Sequence, residues 1–421
     1  MRKLSLAALG TVAVIALAGC AGSGGGSTSD SSAEVRVWLV GTDTPDAARD
    51  YLKKTFEKEN PGSTLVIEEQ QWTGLVDKYT TALSGSDAPD VVEIGNTQAA
   101  AFTSAGAFTD LTDKFDDLGG DDLLPGFVEA GTYDKKFFAA PYYSGARVVF
   151  YTPQIATAGV PTTLDEYVAN GEALHSADPT VSGIYAPGRD WYNVLPYVWE
   201  NGGFVAEQDG DTWSAGFSSA GGIKGLTQMQ TVYEKASAAP KDGDETNAQV
   251  PFCEGKVGYL SAPSWFAGSL ATAADDPTAP GCPDTFGKDA TAFALPGMTE
   301  GKAAAAFAGG SNIAIPTKAK HQDLAYDALK ILVSPEYQKI MAENGLIPGL
   351  VSAASSLPDD AVTKAAAEAA AASKLTPAAP KWADVEASNV LQDSFVKIAQ
   401  GGDVEQIAKE LDAKIEEILN S

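Results

Sequence analysis

The chain has 421 residues, a length for two or three domains with cores that fold without outside support. Hydrophobic residues make up 44% and charged residues 20%, with 42 glycines and 23 prolines, which excludes a disordered, collagen-like or coiled-coil chain. Fifty-six Asp and Glu against 29 Lys and Arg give a formal net charge of −27, which repels phosphate backbones, so no nucleic-acid partner is expected. Two histidines and three cysteines are too few for an ordinary zinc centre or a histidine-based triad, and no metal or other cofactor is expected.

The chain opens with Arg2 and Lys3, an apolar run from Leu4 to Ala18, and Leu17-Ala18-Gly19-Cys20. Residues 1–19 have the form of a signal peptide, too short for a comfortable membrane span, and the small residues before Cys20 resemble a bacterial lipobox. Cys20 is therefore the candidate lipidation site. Residues 20–33, rich in Gly and Ser, read as a flexible tether holding a globular body outside the membrane. The expected location is the extracytoplasmic face of the cell membrane. That location permits a disulfide between Cys253 and Cys282.

From Val35 onward strands and helices alternate. Strands are expected over 35–40, 65–68 and 90–94, each followed by a helix, at 45–59, 73–83 and 97–104. Thr44 is placed to cap the first helix, with Pro45 at its first position. This order makes a parallel α/β sheet with helices on its faces. A second stretch starts with a strand over 147–151 and continues with the capping box Thr163-Leu164-Asp165-Glu166, a long helix over 218–236 and a strand over 256–260. Short apolar segments at 293–295 and 314–315 follow. The tail is helical: 323–333, 335–343, an Ala-rich helix over 360–372 expected to face solvent, and 390 to the end. The pattern describes two α/β lobes with more than one crossing between them, and such folds hold ligands at the carboxyl ends of strands.

Three loops there carry planar polar groups and aromatic faces: Thr42 and Asp43 after the first strand, Gln71 and Trp72 after the second, and Asn96, Thr97 and Gln98 after the third. Indoles stack on the C–H faces of pyranose rings, and amides and carboxylates bond hydroxyls. The pairing points to a carbohydrate ligand. Trp38, inside a strand, and Trp199, in an apolar helix, read as core.

Ser86-Asp87-Ala88-Pro89-Asp90-Val91-Val92, Ala139-Ala140-Pro141-Tyr142-Tyr143, Phe252-Cys253-Glu254-Gly255-Lys256-Val257-Gly258-Tyr259 and Gly309-Gly310-Ser311-Asn312-Ile313-Ala314-Ile315-Pro316 together resemble the extracellular solute-binding family 1. These are the maltose-binding-protein-like carbohydrate-binding lipoproteins of ABC importers. Gln70-Gln71-Trp72, Glu93-Ile94-Gly95-Asn96-Thr97 and Tyr142-Tyr143-Ser144-Gly145-Ala146-Arg147 are similar to actinobacterial binders of chitobiose-type disaccharides. The resemblance implies an α/β, two-lobe periplasmic-binding-protein-like fold (type II) with the ligand cleft between the lobes. It puts Asp190, Trp191, Tyr192, Trp265, Gly310, Ser311 and Trp382 at the cleft as well. Of Tyr142 and Tyr143, one faces the cleft or hinge and the other packs. Arg147 either bonds a hydroxyl or pins the crossing strand.

The expected lobes are 34–143 plus 296–333 and 148–292 plus 334–421, with hinge crossings at 144–147 and 293–295. The implied protein is a monomeric receptor without catalysis. It captures a small oligosaccharide, such as N,N'-diacetylchitobiose, and delivers it to ABC permease subunits. The chain lacks a P-loop, so the ATPase is a separate chain. Two rivals remain: a secreted glycoside hydrolase, which needs a carboxylate pair at a fixed separation, and a binder of peptides, amines or siderophores on the same fold.

Overall fold

A computed structural model describes residues 33–421 apart from 42, 73 and 276–279. The expectations for the signal segment, Cys20 and Thr42 lie outside the described residues. Nine strands form one continuous sheet: β1 (Glu34–Val40), β2 (Thr64–Gln70), β3 (Val91–Gly95), β4 (Ala139–Tyr151), β5 (Ser182–Ile184), β6 (Val257–Pro263), β7 (Thr291–Phe293), β8 (Ala308–Ala314) and β9 (Ile347–Pro348). The order is β2-β1-β3-β8-β4-β6-β5, with β7 and β9 also paired to β4. The first three strands are parallel, and β8 runs antiparallel to both β3 and β4.

β4 is the strand both halves share. Its first part pairs with β8, from Ala139↔Ala314 to Ala146↔Ala308, and its second part pairs with β6, from Arg147↔Pro263 to Tyr151↔Tyr259. The sequence shows a strand only over 147–151, because Pro141, Ser144 and Gly145 read as loop. The structure accommodates Pro141 at a register shift between Ser311 and Asn312, where a proline removes no ladder bond. Residues 139–150 are all buried, so the strand lacks the alternation of a one-sided sheet.

Helices α1 (Asp46–Glu59), α2 (Leu75–Ser84), α3 (Asn96–Ser104), α4 (Leu164–Ala177), α5 (Ala220–Lys235), α6 (Gln322–Leu332), α7 (Pro335–Glu343), α8 (Ala361–Ala371), α9 (Trp382–Ala387), α10 (Val390–Ala399) and α11 (Val404–Leu419) follow the expected order with two departures. α9 stands where the sequence after Pro380 reads as loop, and the single helix expected from 390 onward is two, α10 and α11. Thr163 caps α4 through a bond from the Glu166 N–H. Thr44 does not cap α1. Its buried hydroxyl is bonded to Tyr142 at 2.8 Å, and Pro45 occupies the cap position. The Ala-rich α8 is not solvent-facing: Ala365, Ala366 and Ala369 are buried in a cluster with Val148 and Phe150 of β4. An all-alanine face has no bulk, which lets a helix lie close to a sheet.

The apolar clusters sort the chain into halves. One joins β1 and α1 with α6, α7, Leu350 and Ala353. Another gathers α4, α5, α9, α10 and α11 around Trp191 and Tyr259, and takes in Leu295, Ala304 and Phe307. A third centres on Val148, Leu260 and α8. Cys253 and Cys282, 5.6 Å apart at Cα, are joined by a disulfide beside this third cluster. No described helix is long and apolar enough to cross a membrane.

Candidate functional site

A cavity of about 290 Å³ opens where the halves meet. One wall comes from the carboxyl ends of the parallel strands: Asp43 after β1, Trp72 after β2, Gly95 ending β3, and Asn96, Thr97 and Gln98 in the first turn of α3. The floor is the crossing itself, with Tyr143, Gly145 and Arg147 of β4, then Phe307, Gly309 and Gly310. The opposite wall carries Tyr192, Glu245, Pro263, Trp265 and Glu386.

Two indoles stand out, because they are the exposed tryptophans among the described residues and both line this cavity. Trp72 is 41% exposed and Trp265 is 51% exposed, and each lies on glycine backbone. Trp72 crosses the ends of two strands: a Cβ at Gly41 would come 3.3 Å from its Nε1, and one at Gly95 would come 3.3 Å from its Cζ3. Gly41 also has φ +62°, a conformation side chains resist. Trp265 sits on the paired glycines Gly145 and Gly309, where β4 and β8 meet at the crossing. Each wall thus presents one flat aromatic plate to the cavity.

Polar groups surround the plates. The Tyr143 hydroxyl donates to Asp43 Oδ2 at 3.1 Å. Behind them Glu93 is fully buried and accepts from the Val40 N–H at 2.8 Å. Burial pushes its carboxyl up to about 7, against the pull of that N–H. Arg147 is buried and pairs through Nη2 with both Glu245 oxygens at 2.7 and 2.6 Å, and its guanidinium lies 4.8 Å over the Tyr192 ring. Its Nη1 is 3.9 Å from Asp190 Oδ2 and has no hydrogen-bond partner. Burial, then the nearby Glu245, raise the Asp190 carboxyl despite Arg147. The Asn96 amide donates to the Ala308 carbonyl at 3.0 Å, joining α3 to the crossing. Among the described residues no group of three or more His, Cys, Asp and Glu can hold a metal ion.

Of the sequence candidates, Asp43, Trp72, Asn96, Thr97, Gln98, Tyr143, Arg147, Tyr192, Trp265 and Gly310 line the cavity. The others do not. Tyr142 points to the opposite face of β4 and bonds the Thr44 and Tyr337 hydroxyls in the core. Trp191 is packed behind Tyr192, ring centroids 4.1 Å apart. Asp190 is buried behind Arg147, held by Asn193 at 2.6 Å. Trp382 is fully buried and Ser311 is inside the sheet. Gln71 is exposed outside the cavity. Gly95, Gly145, Glu245, Pro263, Phe307, Gly309 and Glu386 line it without having been singled out. Glu386 had a signal, since it lies one helical turn after Trp382 and accepts from that indole at 2.8 Å. Glu245 follows an Asp-Gly-Asp turn and had none.

The described architecture is that of the two-lobe solute receptors, and the comparisons agree. The chain matches the family described as bacterial extracellular solute-binding protein over residues 41–339. It is 31% identical over 437 positions to the diacetylchitobiose binding protein DasA of Streptomyces coelicolor, with 100% of this chain and 99% of that one covered. The chain belongs to the bacterial extracellular solute-binding proteins. A maltooligosaccharide ABC transporter solute-binding lipoprotein of Streptococcus pneumoniae is 25% identical over 80% of this chain and 78% of its own. The sugar-binding protein MalE from Xanthomonas citri shares the fold at TM-score 0.79 and 22% identity, over 92% of this chain and 97% of that one. The GacH receptor of Streptomyces glaucescens does so at TM-score 0.76 and 21% identity, over 93% and 99%.

Proposed function

We propose that this chain is the substrate-binding lipoprotein of an ABC importer. It is anchored through Cys20 on the extracytoplasmic face of the membrane and hands a small oligosaccharide to permease subunits served by a separate ATPase. The observation that carries this reading is the pair of exposed indoles, Trp72 and Trp265, facing one cavity from opposite walls. Stacked sugar rings supply the apolar area that two such plates lack in water. Asp43, Asn96, Thr97, Gln98, Tyr143, Arg147, Tyr192 and Gly310 would meet hydroxyl or acetamido groups. The likeness to DasA favours a β-linked disaccharide such as N,N'-diacetylchitobiose. The protein acts as a monomer and leaves its ligand intact.

The lobes, in this reading, follow the packing: 34–143 with 309–353, and 148–307 with 357–421. This moves the return crossing from 293–295 to Phe307–Gly309, because Leu295, Ala304 and Phe307 pack with the second lobe, and it places α7 in the first. A thermal-shift screen against mono- and disaccharides, followed by calorimetry, tests the reading. The expected result is a raised melting temperature with a β-linked disaccharide and recovery of the sugar unaltered. Stabilisation by a peptide or amine alone would replace the sugar, and released monosaccharide would restore the hydrolase.

A further inference from the structure

Glu386 sits at the end of the cavity where the two lobes touch. Its helix, α9, belongs to the second lobe and packs against α3 of the first. The carboxyl accepts from the Trp382 Nε1 at 2.8 Å on one side and faces the Thr97 hydroxyl on the other. It therefore spans the cleft, and its surroundings are complete only when the lobes are together. The ionisable group facing it is the Tyr192 hydroxyl. Arg147, on that tyrosine's ring, is already committed to Glu245. Asp43 and Glu245 line the same cavity and add negative charge. α10 and α11 meet α9 through apolar side chains, Leu391, Phe395, Ile415 and Leu419. No described Lys or Arg forms an ion pair with Glu386.

We propose that Glu386 is a binding residue that grips the first lobe as a neutral acid, so that capture of the ligand closes the cleft and takes up a proton. This rests on the sugar-receptor reading above. A carboxylate with one indole donor, one hydroxyl and no cation is poorly compensated once water leaves, whereas the protonated acid donates one bond and accepts another. With α3 and α9 in contact, as in this structure, burial raises the half-buried Glu386 carboxyl to about 7. With the lobes apart, α3 withdraws and solvent returns the group toward its ordinary value of 4.5. The native closed state then holds more protons than the open state between these values, and ligand affinity rises as pH falls through them. Glu93 and Asp190 are buried away from the contact between α3 and α9, so bringing those two helices together does not bury them further.

The test is calorimetry of the full mature chain with N,N'-diacetylchitobiose, cellobiose and maltose, at pH 6, 7 and 8, in phosphate and in Tris. These buffers differ in ionisation enthalpy, so uptake shows as a buffer-dependent heat. The expected result is about half a proton taken up at pH 7 and affinity about tenfold tighter at pH 6 than at pH 8. Glu386→Gln, a neutral isostere, should flatten the affinity to within about twofold over that range and abolish the uptake. Binding with identical heats in both buffers and a flat pH profile would overturn the proposal on the unmodified protein, without reliance on the variant. Retention of the parent's pH dependence by Glu386→Gln would overturn it as well. An absence of heat with every disaccharide would instead remove the sugar reading, a result distinct from binding without proton uptake.

Discussion

Trp265 lies so close over Gly145 that a Cβ on the glycine would stand 1.9 Å from the indole Cζ3. The contact joins the second lobe's aromatic plate to the strand that both lobes share. Gly145 is paired with Gly309 across the crossing, so the plate rests on bare backbone where any side chain would lift it. Gly145→Ala needs no unusual backbone angle, and the group it displaces is half exposed. The fold should therefore survive, with a melting temperature close to the parent's, while Trp265 is pushed off its seat. Disaccharide affinity measured by calorimetry should fall tenfold or more. Unchanged affinity would show that the indole does not need this seat.

The four cleft-region tryptophans separate into two pairs by burial. Trp72→Ala and Trp265→Ala remove exposed plates, and each should weaken binding at least tenfold with little change in apo stability. Trp191 and Trp382 are buried in the core of the second lobe. Their replacement by alanine leaves cavities and should cost about 3–5 kcal/mol, read as a lowered urea midpoint. Collapse of apo stability in the first pair would reassign them to the core.

These pairs also mark what a sequence can disclose. Trp72 was legible because it follows a strand in a parallel α/β array, and topology alone sends that loop to the cleft. The alternation of strands and helices likewise disclosed the first lobe. Trp191 and Trp382 were not separable from Trp265, since all three sit near turns and burial depends on what packs against them. The shared strand was legible only in its second half, because Pro141 and Gly145 hide the first. Glu245 and Glu386 lie in a turn and a short helix whose positions are fixed by contacts far away in the chain.

The disulfide closes a loop across 29 positions of the second lobe. Constraining the unfolded chain to that extent is worth roughly 3–4 kcal/mol. Cys253→Ala with Cys282→Ala should lower the unfolding midpoint accordingly. Neither cysteine lines the cavity, so ligand affinity below the transition should stay within about twofold. A large loss of affinity in the folded double variant would show that this loop shapes the site.

Glu93 gives the apo protein a pH dependence of its own. It is fully buried, with its carboxyl at about 7 against an ordinary value of 4.5. The folded state therefore binds more protons than the unfolded chain between these values, and its contribution to stability falls as pH rises from about 4.5 to about 7, then levels off. The difference is of the order of 3 kcal/mol at pH 8. Glu93→Gln keeps an oxygen for the Val40 N–H and turns its amide to the nearby Ser311 hydroxyl. Urea unfolding at pH 5 and pH 8 should show the variant more stable than the parent at pH 8, with the gap narrowing at pH 5. If the variant is instead less stable at pH 8, the ionised carboxylate is being held by donors in the sheet, and the desolvation argument for Glu93 fails.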